Sequence, residues 1–208
     1  MSSSAPLAIA INGSPSPTSR TGRLLDYLLV RLADLGLRTD AVSPRDLPAE
    51  ALVGADTGNL AIAGAIARVA DASIIIIGTP IYKAAYSGLL KTFLDLLPQD
   101  GLKGKLVLPL ATAGSAAHTL ALDYSLRPVI AALGAQQVLA GICASEKQVT
   151  WLGDAGLELD SALDARLDAS IGEIAQRYPA PIGMPIAGLA TRPALRVVQG
   201  ARTVSAGC

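Results

Sequence analysis

Ser73-Ile74-Ile75-Ile76-Ile77-Gly78 sets four β-branched residues in a row between two small ones. The run is of strand length and offers no polar face to water, so it reads as a central strand covered on both sides. Strands of this kind belong to parallel sheets joined by crossover helices, which predicts helical periodicity on either side. Upstream, Ile62, Ile66 and Val69 recur at helical spacing; downstream, Leu89, Leu90, Phe93, Leu94 and Leu97 do the same until Pro98 ends the helix.

The alternation continues outward. Residues 7–12 (LAIAIN) predict a first strand, and Leu24, Leu25, Leu28, Leu32 and Leu35 a helix that Gly36 stops, before a second strand over 38–42. Beyond Pro98 come a fourth strand over 106–111, a helix over 117–133 that contains Pro128, a fifth strand over 136–144, and an acidic amphipathic helix over about 159–178. Pro109 has no N–H for a ladder and makes a bulge an option in the fourth strand. Five strands with helices between them predict an α/β chain, a doubly wound five-stranded parallel sheet of flavodoxin-like order with helices on both faces. Its ligand belongs beyond the carboxyl ends of the strands, so site residues are expected after strands one, three and four.

The chain has 208 residues, 51% hydrophobic and 16% charged, enough apolar material for one packed domain and too much for a disordered or coiled-coil chain. That domain is assigned to residues 1–178. The remaining 30 residues, 179–208, hold four prolines, three arginines and no acid; they read either as an unstructured tail or as an arm packed on another subunit. Seventeen basic and seventeen acidic side chains leave no field to hold a polyanion, so nucleic-acid binding is not expected. One histidine, His118, and two cysteines, Cys143 and Cys208, cannot by themselves build a zinc cage or a disulfide framework, which fits a reducing cytoplasm. The longest uncharged stretches are broken by Pro and Gly, and the first residues have no basic start and long apolar run, so neither a membrane span nor an export signal is expected.

Three loops carry the chemistry. Gly13-Ser14-Pro15-Ser16-Pro17-Thr18-Ser19-Arg20 follows the first strand and opens the first helix, where free N–H groups and the helix dipole favour an anion. The hydroxyls of Ser14, Ser16, Thr18 and Ser19 and the forked charge of Arg20 suit a terminal phosphate. The same residues also describe a Ser/Thr-capped helix after a Pro-rich turn. The loop matches neither the G-x-x-x-x-G-K-[ST] nor the G-x-G-x-x-G pattern, which disfavours a nucleoside triphosphate and leaves one phosphate on a flat apolar body, a description that flavin mononucleotide (FMN) meets. After the isoleucine strand, Pro80, Ile81, Tyr82, Lys83 and Ser87 would put backbone amides and an aromatic at the ligand edge; alternatively, Pro80 ends the strand and Ser87 caps the next helix. Thr112, Ala113, Gly114 and Ser115 form a turn with little bulk, which a ligand can approach closely. His118, nearby, could bond to a flavin or a partner subunit, or simply pack.

With these loops in register, the chain resembles the NADPH-dependent FMN reductases, most closely the alkanesulfonate monooxygenase reductase (SsuE-type) branch. The resemblance rests on Gly13-Ser14-Pro15 with Ser19-Arg20, on TPIYKAAYSGLLKTFLDLLP over 79–98, and on LVLPLATAGSAAHTLALDYSLRPVIAAL over 106–133. It covers roughly residues 7–145 in colinear order, and leaves out 49–61 and the segment after 179.

The resemblance implies a flavodoxin-like fold and hydride transfer from NADPH to FMN, with no acid–base side chain needed. Ser14, Ser19 and Arg20 would hold phosphate, Pro80, Ile81 and Tyr82 would border the flavin ring, and Thr112 to Ser115 would close its other side. It also implies delivery of reduced FMN (FMNH2) to a two-component monooxygenase of sulfonate sulfur metabolism, and a homo-oligomer, dimer or tetramer. Tyr124 matches a tyrosine that this branch inserts as a π-helical turn at a subunit interface, linked there to flavin release; the same residue also reads as an ordinary helical tyrosine beside a proline kink. Two other readings use the same loops: an FMN-retaining quinone or azo reductase, and a flavodoxin-type electron carrier. The balanced charge argues against the carrier, whose docking surface should be acidic.

Overall fold

The computed structural model describes residues 5–114, 120–153 and 156–179, and the backbone of 195–198. The first half runs β1 (Leu7–Asn12), α1 (Arg20–Asp34), β2 (Arg38–Val42), α2 (Ala49–Val53), α3 (Leu60–Asp71), β3 (Ile74–Tyr82), β4 (Ala85–Tyr86) and α4 (Gly88–Leu94). The second half runs β5 (Leu106–Ala113), a π-helical turn (Leu122–Leu126), α5 (Arg127–Ala132), β6 (Gln137–Val138), β7 (Ile142–Ser145), β8 (Val149–Trp151), β9 (Leu157–Asp160), α6 (Ser161–Arg177) and β10 (Leu195–Val198). The main sheet has the order β2-β1-β3-β5-β6, all parallel, which is the flavodoxin-like order. Among the described residues no helix is long and apolar enough to cross a membrane.

The isoleucine run explains the layering. Ile75 and Ile77 face one core, with Ile9, Ile11, Ile62, Val69, Phe93, Leu126 and Ile130 from β1, α3, α4, the π-turn and α5. Ile74 and Ile76 face the other, with Ala8, Ala10, Leu24, Leu28, Leu32, Leu163, Leu167 and Ile174 from β1, α1 and α6. The alternation is the period-two direction of strand side chains, and all four isoleucines are fully buried. A polar clamp joins α1 to α6: the Tyr27 hydroxyl donates to Asp164 (3.0 Å) and accepts from Arg31, whose other nitrogen meets Asp168 at 2.7 Å.

The sheet corrects the expected strand count from five to seven. The fifth strand is split into β6 and β7, and the break falls beside Pro109, the residue of β5 with no N–H to offer a neighbour. β5 itself runs straight through the proline. β4 is a two-residue strand folded back antiparallel on β3. Both β3 and β5 also run past their expected ends, with Thr79 paired to Ala111 and Pro80 to Thr112, so two expected loops are partly strand. A further correction concerns the helix expected over 117–133: residues 115–119 lie outside the described residues, and a π-turn precedes α5. The Arg127 N–H reaches Leu122 O, five residues back, and Pro128 has no N–H for an α-helical bond to Tyr124. Finally, 149–151 and 157–160 form a hairpin that shortens the last helix at its start, where Asp160 caps α6; β10 lies parallel on β9.

Burial holds the proton on Tyr27 and pushes its pKa up to about 12; the Asp164 carboxylate acts in the same direction and Arg31 against it. An unfolded chain releases that proton near pH 10, so the folded state binds more protons between about pH 10 and 12 and its stability falls across that window. Tyr27→Phe is therefore expected to be less stable than wild type at pH 8, and to lose about 2 kcal/mol less between pH 9 and 12. Urea midpoints at the two pH values check this; parallel losses in both proteins would refute it.

Candidate active site

The first strand delivers the chain into a tightly pinned loop. The Gly13 N–H donates to Gly78 O at 2.7 Å, which ties the end of β1 to β3. The Ser14 N–H donates to Asn12 Oδ1 (3.1 Å) and the Ser16 N–H to Ser14 Oγ (3.3 Å), two side-chain turns that curl the loop over itself. Ser19 then caps α1 by accepting from the Gly22 N–H at 3.0 Å. The first turn of this fifteen-residue helix points N–H groups that have no partner within the helix toward the open end of the sheet.

Two neighbours lock that loop. Ser87 Oγ donates to Gly13 O and accepts from the Leu90 N–H, while its own N–H reaches Thr79 Oγ1 at 2.9 Å. Thr21 and Thr112 share a buried hydroxyl bond of 2.6 Å, which joins the start of α1 to the end of β5. The loop and the start of α1 are thus together bonded to all three central strands.

These elements enclose a cleft of about 560 Å3, in the size range of small-molecule sites. Ser14, Ser16, Thr18, Ser19 and Arg20 line it from the first loop, Pro80, Ile81 and Tyr82 from the second, and Thr112, Ala113 and Gly114 from the third. Hydroxyls and a guanidinium at a helix start, opposite an aromatic and a stretch of small residues, match the needs of a phosphate monoester carried on a flat ring.

Two of the expected contacts are placed elsewhere. Ser87 lies under the loop and braces it, and Lys83 stands in the exposed turn between β3 and β4; neither lines the cleft. Ser115 and His118 lie outside the described residues. Tyr124, 79% exposed, sits in the π-turn, an element that packs next to β4, and is not in the cleft lining.

The sequence reading missed a fourth wall. Thr21, Glu146, Val149, Thr150 and Trp151 complete the cleft, the last four from the turn after β7 and from β8. Glu146 pairs with Arg20 at 3.3 Å, and the Arg23 guanidinium lies 4.0 Å above the Trp151 ring. The β-branched and aromatic run Val149-Thr150-Trp151 was the available signal.

The turn that Lys83 occupies is strained. Lys83 and Ala84 have φ of 49° and 65°, the two left-handed positions of a type I′ hairpin, yet neither is the Asn-Gly pair that such turns favour. Replacing them together (Lys83→Asn with Ala84→Gly) is expected to stabilise the fold by about 1 kcal/mol, raising Tm by about 2–4 °C. Thermal unfolding checks it, and an unchanged or lower Tm would show that the turn carries no strain to relieve.

Known proteins resemble this chain over most of its length. Residues 6–150 match the family model described as NADPH-dependent FMN reductase. A curated relative from Pseudomonas putida, named FMN reductase (NADPH), is 45% identical over 166 residues, covering 79% of this chain and 84% of that protein. Another of the same name from Escherichia coli K12 is 44% identical over 141 residues, covering 68% and 74%. The crystal structure of an NADH:FMN oxidoreductase (EMOB) in its apo form superposes with a TM-score of 0.76 at 37% identity, over 86% of this chain and 92% of that one. The family model's match over 145 residues, together with these relatives, establishes that the chain belongs to the NADPH-dependent FMN reductases, oxidoreductases that use FMN and NADPH.

Proposed function

We propose that this reductase takes FMN as an exchangeable substrate and passes it on in reduced form to a two-component monooxygenase of organosulfonate metabolism, in the manner of the alkanesulfonate monooxygenase reductase branch. The observation that carries the reading is the π-turn at Leu122–Leu126 with Tyr124 exposed at its centre, beside the hairpin that borders the cleft. In this reading the turn belongs to an interface of a cytoplasmic homo-oligomer and lowers flavin retention.

Bound FMN supplies the acceptor for a hydride from NADPH. The chain's own part is to bind and orient. Of the residues that line the cleft, Ser14, Ser16, Thr18, Ser19 and Arg20 would hold the phosphate, Pro80, Ile81 and Tyr82 would border the ring, and Thr112 to Gly114 would close its other side. Ser87 keeps Gly13 fixed, so the loop that carries these hydroxyls is held in place, which is where a preorganised site gains over a floppy one.

The test is NADPH oxidation by flavin-stripped protein as free FMN is added under air, with the visible spectrum of the protein as purified. Colourless protein whose rate rises and saturates with FMN is expected. Yellow protein whose turnover needs a quinone or protein acceptor, and ignores added FMN once reloaded, would instead mark a flavin-retaining reductase or an electron carrier.

A further inference from the structure

Glu146 is a carboxylate inside a cleft built for an anion. It lines the same cavity as Ser14, Ser16, Thr18, Ser19 and Arg20, and it lies 3.3 Å from the Arg20 guanidinium, the cation that the first loop provides. Both side chains are about half exposed (47% and 56%), so the pair is solvated and easily broken.

The turn that carries Glu146 does not depend on that pair. Its backbone is set by a capping box in which the Ser145 N–H donates to Gln148 Oε1 at 3.0 Å, and Gln148 in turn bonds to Asp160 at 3.3 Å. Upstream, Arg166 holds Cys143 O at 3.2 Å and fixes β7 to α6. The carboxylate is therefore delivered to Arg20 by a framework that stands without it.

We infer that Glu146 sets the affinity of the cleft by competing with phosphate for Arg20. An arriving phosphate monoester must displace the carboxylate or share the guanidinium with a like charge, and either course weakens binding. The consequence is a cleft that recognises a phosphate-bearing flavin yet lets it go. This inference rests on the reading of Arg20 as a phosphate ligand.

The two can be tested separately by measuring FMN and riboflavin dissociation constants through quenching of flavin fluorescence, with full-length protein at low ionic strength. Glu146→Gln and Glu146→Ala are each expected to bind FMN about 3–10-fold more tightly, to leave riboflavin unchanged, and to lose most of that gain in about 0.5 M salt. If Arg20→Ala weakens FMN while both Glu146 variants bind it as wild type does or more weakly, Glu146 orients Arg20 and the inference falls, with the phosphate reading intact. If Arg20→Ala leaves FMN affinity unchanged, the phosphate reading itself fails and the inference falls with it.

Discussion

Gly13→Ala is expected to lower stability by about 2–3 kcal/mol and Tm by about 6–10 °C. A Cβ built on Gly13 would lie 2.7 Å from Leu90 Cβ and 3.0 Å from Gly78 O. Neither atom is the far end of a flexible side chain: one is the first carbon of a fully buried residue in α4, the other the carbonyl that accepts the Gly13 N–H. Relief has to come from the backbone, and the backbone here is held from both sides, because Ser87 also bonds to Gly13 O. The loop that should shift carries Ser14 and Ser16, so FMN affinity falls along with stability. Chemical denaturation and an FMN titration on the same preparation check both halves; a variant with wild-type Tm would show that β1 and α4 have slack at this point.

Arg20→Ala is expected to weaken FMN binding by about 1–3 kcal/mol, roughly 5–150-fold, while leaving riboflavin affinity where it was. Arg20 begins α1 and is exposed, so the truncation removes a charge and little packing. The contrast between the two flavins isolates the phosphate, since they differ in nothing else. An equal loss for both would place Arg20 along the ring or in the shape of the loop.

The frame was legible because its signals were strong and local. The four isoleucines have no face to offer water, and residues 7–12 form β1 as expected. The three loops follow from strand order alone, since a flavodoxin-like sheet opens its cleft where β1, β3 and β5 end. What stayed hidden was non-local or atypical. The β3–β4 hairpin turns on Lys83-Ala84, a pair that carries none of the usual turn chemistry. The split of the last parallel strand falls beside Pro109, a residue of the neighbouring strand that lies outside the split strand's own sequence. The fourth wall needed Trp151 and Glu146 to be brought across the sheet by β8 and the turn before it, which no spacing along the chain announces. Tyr124 lay between these cases: Pro128 four residues on hinted at a disturbed helix, and the geometry at Arg127 is that of a π-turn.

The alternation of Ile74 to Ile77 between the two cores reaches beyond packing. A strand shared by both hydrophobic layers cannot be exposed on one side while the other stays intact, so neither layer can come apart as a separate cooperative unit. Amide protons of β3 should exchange with solvent only when the whole domain opens, at a rate that reports global stability. Those of the exposed Lys83-Ala84 turn at the end of the same strand can exchange through local opening. One continuous strand thus connects the slowest region of the molecule to one of its fastest, and the boundary between them falls at the lip of the cleft.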